Sequence, residues 1–302
     1  VFTILYFDAP NASLSLQKRL WARYLRLNIP AAASIALPLI VYKFGFYVNF
    51  EASEISGSTP WLKHAIPSTI SATTALTEAV YQSLILGRRT LVPQLWTLRI
   101  EFIGSLYLLL FYISKPSRRL LLTPTLASVL LYAIHKAESI YFIAMFAGSL
   151  LNLFTVKNSL KPLLFVLGMY FGAFQYESVV HNFLPRVNMF GAELWEIKNF
   201  YNTVGALLLT AAVVNGFGSK LFESKSFQFL GRISFSLYLV HFVVQCSLSC
   251  GLYIAFPRDK FYLAANFVLY IIVCLFTSAM FERYVDRQAI RTAHKFSAYI
   301  FK

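Results

Sequence analysis

The sequence predicts an all-α protein, a multi-pass transmembrane helical bundle, and three observations carry that expectation. Hydrophobic residues make up 58 % of the 302 and charged residues only 13 %. A typical soluble domain is about 45–50 % apolar and about 25 % charged, so this chain has too little charge to cover a water-facing globule. Aromatic residues reach 17 %, with 29 Phe and 18 Tyr, a bias suited to packing in lipid and to belts at its edges. Runs of about 20 mostly apolar residues, the length that crosses a hydrocarbon core as a helix, recur along the chain. The same composition excludes disorder, because apolar surface is abundant, and argues against a soluble cytosolic enzyme.

The elements follow in order. Residues 1–7, VFTILYF, read as the tail of an apolar segment. The best spans run 29–48, 95–114, 199–215, 229–256 and 262–281. Shorter runs at 120–134, 139–156 and 161–176 cross if tilted or packed inside the bundle. This makes about eight crossings plus a stub of an N-terminal one. With no internal repeat and no Gly/Ser linker, residues 1–302 are expected to form a single membrane domain. The tail, 282–302, repeats arginines at Arg283, Arg287 and Arg291 and reads as an interfacial amphipathic helix.

Lys and Arg number 27 against 13 Asp and Glu, a net charge of +14. In a soluble protein that balance suggests nucleic acid. Here the bases fall in short clusters between apolar runs, so the expected contacts are membrane lipids and no nucleic acid. With Lys18, Arg19, Arg23 and Arg26 in the cytoplasm, alternation puts Lys115, Arg118, Arg119, Lys157, Lys161, Lys220, Lys225 and the basic tail inside too. Both ends are then cytoplasmic. Two long segments, 49–94 and 177–198, fall outside; the second carries Glu177, His181, Glu193 and Glu196. Such segments serve as lids, acceptor sites or solvated caps. Cys246, Cys250 and Cys274 lie inside apolar runs and read as buried hydrophobes without a disulfide. No Cys pair has metal-ligand spacing with a His, and no metal is expected.

Ionisable residues within spans are costly and mark function. Thr97, Glu101 and Ser105 are spaced i, i+4, i+8 beside Arg99 and Gly104, forming one polar stripe. Glu101 either orients a hydroxyl or a base, or is an interfacial acid paired for structure. Ser234, Tyr238, His241 and Gln245 share one face of an otherwise apolar helix. That ridge must face protein or water. His241 is either a base working near neutral pH or a hydrogen-bonding strut between helices. Arg19, Arg23 and Arg26 fall on one face just before Pro30, suited to bidentate phosphate contact or to lipid headgroups.

Taken together, these segments resemble the acyltransferase-3 family of integral membrane O-acyltransferases, with a leaning towards its fungal members. Leu95-Trp96-Thr97-Leu98-Arg99-Ile100-Glu101, followed by Gly104-Ser105, resembles the family's W-[ST]-L-x-x-E signature. The segment from Leu230 to His241, LGRISFSLYLVH, is similar to its L-G-x-[IL]-S-[YF]-S-[IL]-Y-L-x-H signature. Arg19, Arg23, Arg26 and Pro30 resemble the arginine-rich start of its third helix, and Tyr141 to Leu151 its short F-x-x-G segment. Glu282-Arg283-Tyr284-Val285-Asp286 is similar to its closing motif.

The resemblance implies transfer of an acyl group, often acetyl, from acyl-CoA to a hydroxyl of a sugar, lipid or secondary metabolite. Acyl-CoA is then a co-substrate, with no bound cofactor. Arg19, Arg23 and Arg26 would meet CoA phosphates at the cytoplasmic face. Glu101, near the outer face, would orient the acceptor, with His241 in support and Trp96, Ser234 and Tyr238 lining the substrate. An acceptor hydroxyl would attack the thioester directly while a base takes its proton. The family's proposed base is a His on its first helix, about one helix length after an Arg or Lys. On the resemblance residues 1–7 would correspond to the end of the second helix, so the expectation is either an N-terminally incomplete chain or one that has lost that base, and His241, which the family also has, would not replace it. Two other readings stand beside the enzyme. One is an inactive relative. The other is a transporter or channel with a polar path past Arg99, Glu101 and His241, against which no inverted repeat or pair of broken helices is visible.

Overall fold

The computed structural model describes residues 12–58, 60–67, 69–113, 138–184 and 194–300. The stub at 1–7, the expected span at 120–134, the bases Lys115, Arg118 and Arg119, and Glu193 lie outside the described residues. Every regular element among the described residues is helical. Four helices there are long and apolar enough to cross a membrane: Lys18–Lys43, Ile197–Val214, Lys225–Ala255 and Lys260–Ile300. The described residues group into two compact units, 12–106 with 228–300, and those within 107–227.

In the first unit, α1 (Ala12–Lys43) buries Leu27, Ala31 and Ile35, an i, i+4, i+8 stripe. Pro30 and Pro38 lie inside this helix and are fully buried, where packing rather than a full ladder holds the backbone. Two short helices follow, α2 (Asn49–Ser56) and α3 (Pro60–Lys63). Then α4 (Ala72–Thr77) runs directly into a π-helical segment, Glu78–Leu86. These fifteen or so residues pack along α1, and the Tyr24 hydroxyl donates to the Val80 carbonyl at 2.7 Å. Ala75, Leu84, Leu91 and Val92 share one core with the α1 stripe. The second half of the segment 49–94 is therefore helical and packed on α1. Its apolar stretch is shorter than a span and carries Glu78, which is why hydropathy alone passes over it.

A 3₁₀ turn, Pro93–Leu95, leads into α5 (Trp96–Ile113). The second unit holds α6 (Ser139–Leu150), α7 (Lys161–Gly172), α8 (Leu194–Val214) and the short α9 (Ser219–Phe222). At 12 residues each, α6 and α7 are about 18 Å long, well short of the about 30 Å of a hydrocarbon core. The α-helix within each of the expected spans at 139–156 and 161–176 is this 12-residue segment. α7 and α8 approach at glycine: a Cβ on Gly205 would lie 2.2 Å from the Gly172 nitrogen and 2.7 Å from the Gly168 oxygen. Small residues let two backbones meet in this way.

Returning to the first unit, α10 (Lys225–Val244) continues through a π segment, Gln245–Ser249, into α11 (Cys250–Ala255). Asp259 caps α12 (Lys260–Phe281) by accepting from the Tyr262 N–H at 3.0 Å. α12 passes through a third π segment, Glu282–Asp286, into α13 (Arg287–Ile300). The tail is amphipathic as expected, but its small side, Ala289 and Ala293, is buried, and the helix packs on α1 with Phe296 against Trp21. Arg291, His294 and Lys295 are exposed. All three cysteines are buried free thiols.

Candidate functional site

The site grows from three helices of the first unit. Arg23, one turn in from the start of the apolar part of α1, reaches α5. Its Nη2 donates to Glu101 Oε1 at 2.6 Å and its Nε to Ser105 Oγ at 3.2 Å. Glu101 and Ser105 are one turn apart, so a single guanidinium spans both. The pair is charge-assisted and short, with side chains 19 % and 42 % exposed. It joins residues 78 apart in sequence.

This contact corrects the expected arrangement. Arg23 and Glu101 share one level of the bundle, so they do not stand at opposite faces, the one for CoA and the other for the acceptor. Between them in sequence lies the helical segment 72–86, which packs along α1. Nor do Arg19, Arg23 and Arg26 form a uniform basic face. Arg23 is held by Glu101, and Arg26 acts on the charge of Asp286. Asp286 and Glu282 are both buried in the third π segment. Glu282 accepts three bonds from Arg287, on Oε1 from Nε at 3.2 Å and Nη2 at 3.0 Å, and on Oε2 from Nη2 at 2.9 Å. The closing motif thus supplies acids that reach back to α1 and to α13.

A second contact ties α5 to α10. The Tyr238 hydroxyl bonds to the Thr97 hydroxyl and to the Gln94 carbonyl. Gln94 Nε2 in turn donates to the Tyr238 carbonyl at 3.1 Å. Tyr238 thus donates its hydroxyl hydrogen within the protein, as a strut between two motif segments 141 residues apart. Trp96 opens α5 beside this strut, half-buried.

Ser234, Tyr238 and His241 line one open groove of about 420 Å³ against α12, as their shared face requires. Ser234 turns its hydroxyl to the Gly231 carbonyl at 2.8 Å. His241 Nδ1 lies 3.0 Å and 2.9 Å from the Leu237 and Tyr238 carbonyls of its own helix. Carbonyls only accept, so the neutral ring carries its hydrogen on Nδ1. Gln245 begins the π segment that follows, and π-bulges are frequent at functional sites.

Two polar features went unread in the sequence. Glu78 is fully buried in the first π segment and accepts from the Thr90 N–H at 3.1 Å and the Leu91 N–H at 3.4 Å. It holds the loop 87–92 in place. Within that loop Gly87, at φ +68°, leaves room for Arg99, whose Cδ would lie 2.9 Å from a Cβ there. A single acid ahead of an apolar run was the available signal. The groove's far wall, Tyr270 and Cys274 on α12, gave none, because α12 is apolar all round.

No protein-family model, no curated protein and no solved structure matches the chain.

Proposed function

We propose that the chain is an integral membrane O-acyltransferase of the acyltransferase-3 type, moving an acyl group from acyl-CoA to a hydroxyl. The observation that carries this reading is convergence. Four segments that resemble the family's motifs, far apart in sequence, meet in one unit: Arg23 on Glu101, Thr97 on Tyr238, and the segment Glu282–Asp286 packed on α1. Segments that matched by chance would have no reason to touch. On this reading the bundle makes about eight crossings, and the arginine-rich end of α1, with the tail packed on it, faces the cytoplasm by the positive-inside rule.

The roles shift with the geometry. Arg19 and Arg26 meet the CoA phosphates, while Arg23 is the partner that sets Glu101. Because Glu101 shares that level, thioester and acceptor meet near one end of the bundle. The proton leaves the attacking hydroxyl as its oxygen bonds to the thioester carbon; the C–S bond breaks and CoA departs as thiol.

The test is saturable binding of radiolabelled acetyl-CoA to the full-length gene product in proteoliposomes. Neutralising Arg26, as Arg26→Gln, weakens it about tenfold, the loss of one charge-assisted contact. Proton-driven solute uptake with no acetyl-CoA binding overturns the reading in favour of a transporter. Binding without transfer to any lipid or glycan extract marks an inactive relative.

A further inference from the structure

The groove between α10 and α12 combines two features that together select a ligand. Its walls are apolar, formed by Leu237 on one side and Ile271 and Leu275 on the other. Its volume of about 420 Å³ lies in the range that takes a small organic molecule, about 300–1,000 Å³. The other feature is a histidine acceptor. His241 lines the groove with Nδ1 turned back on its own helix, so Nε2 is the outward ring atom. Nε2 has no hydrogen-bond partner among the described residues, and in this tautomer it accepts. Two of the hydroxyls that line the groove donate within the protein, Tyr238 to the Gln94 carbonyl and Ser234 to the Gly231 carbonyl.

We propose that this groove binds a lipophilic alcohol, its hydroxyl donating to His241 Nε2 and its hydrocarbon body lying along Leu237, Ile271 and Leu275. A plain alkyl chain would leave the imidazole acceptor unsatisfied among apolar walls, a loss the site avoids only with a donor. A cationic donor would be stripped of water there with no carboxylate lining the groove. A hydroxyl on an apolar body meets both conditions. As the site of the acyl acceptor, the groove rests on the acyltransferase reading; as an alcohol site it stands alone.

The test uses the full-length chain in phosphatidylcholine nanodiscs, irradiated with a tritiated diazirine-bearing hexadecanol and, in parallel, with its methyl ether. Peptide mapping is expected to place the alcohol's label on residues 237–241 and 270–275. That label should exceed the ether's about fivefold, as one hydrogen bond supplies, and unlabelled hexadecanol should displace it. His241→Ala should bring the alcohol down to the ether's level. Leu275→Trp, which keeps the imidazole and fills the groove, should do the same. Equal labelling by alcohol and ether in the unaltered chain overturns the proposal. So does label spread as heavily over the exposed face of α12 around Phe261, Val268 and Ile272. Adding acetyl-CoA separates the two claims. Groove labelling with no ester formed upholds the alcohol site and sinks the acyltransferase reading. Hexadecyl ester formed undiminished by Leu275→Trp upholds the enzyme and sinks the groove.

Discussion

His181 lies in the unit of residues 107–227 and His241 in the unit that joins 12–106 to 228–300. Both sit among aromatic rings, His181 beside Tyr170 and Phe174, His241 beside Tyr238 and Phe242. They differ in how their nitrogens are spent. His181 Nδ1 accepts from the Gln175 N–H at 3.4 Å and Nε2 donates to the Tyr170 carbonyl at 3.0 Å; its ring is buried and fully used. His241 commits one nitrogen and leaves the other on a groove. The units follow the same division. Residues 107–227 join helices through glycine, backbone against backbone, whereas the first unit joins them through an ion pair, a tyrosine strut and buried acids. Polar groups that only build are closed on both sides; a site leaves one side open.

The largest effect should come from breaking the glycine contact. Gly205→Leu puts a side chain where the Gly172 backbone already lies. Overpacking of this kind costs about 3 kcal/mol or more, and the detergent-solubilised protein should lose about 5–10 °C in thermal midpoint. Gly148→Leu, on a face with nothing within 4 Å, should change it little. If the two variants melt alike, the close approach of α7 and α8 is not what holds that unit.

Legibility from sequence followed the same contrast. The helical class, four long apolar helices among the described residues and the amphipathic pattern of the tail were readable because composition and period are local properties. The stripe Ser234, Tyr238, His241 was readable for the same reason, and the structure keeps it on one groove. The helix at 72–86 was not, since its apolar run is short and broken by Glu78, and the burial of that acid depends on Thr90 and Leu91 N–H groups brought in from the following loop. The Arg23–Glu101 pair was hidden because it joins residues 78 apart, and the spacing of residues along one helix does not say which other helix it packs against. The tail's buried face was visible as a pattern, but its partner, α1, was not.

The histidines allow a sharper contrast at a middle magnitude. His181→Ala removes a buried ring and leaves the Gln175 N–H and Tyr170 carbonyl without it, so stability should fall by about 2 kcal/mol. His241→Ala gives up a bond only to carbonyls already engaged in their own helix, and should cost within about 0.5 kcal/mol. Equilibrium unfolding of the two variants in matched detergent is the measurement. Equal losses would make His241 a strut like His181 and close the groove to chemistry.

The smallest effect concerns the bond that brings the motif-like segments together. Arg23→Gln and Glu101→Gln each leave a charge that had a partner at 2.6 Å, so each alone should destabilise. The double variant removes both charges and should regain part of the loss. With Glu101 nearly half exposed, the coupling from the cycle should be about 1 kcal/mol rather than the several of a buried pair. Raising salt should shrink it only modestly, because Arg23 is largely shielded. A coupling indistinguishable from zero would mean that the two side chains do not share one level. The polar network of the first unit would then be as local as the glycine packing of the second, and the convergence that carries the acyltransferase reading would lose its strongest link.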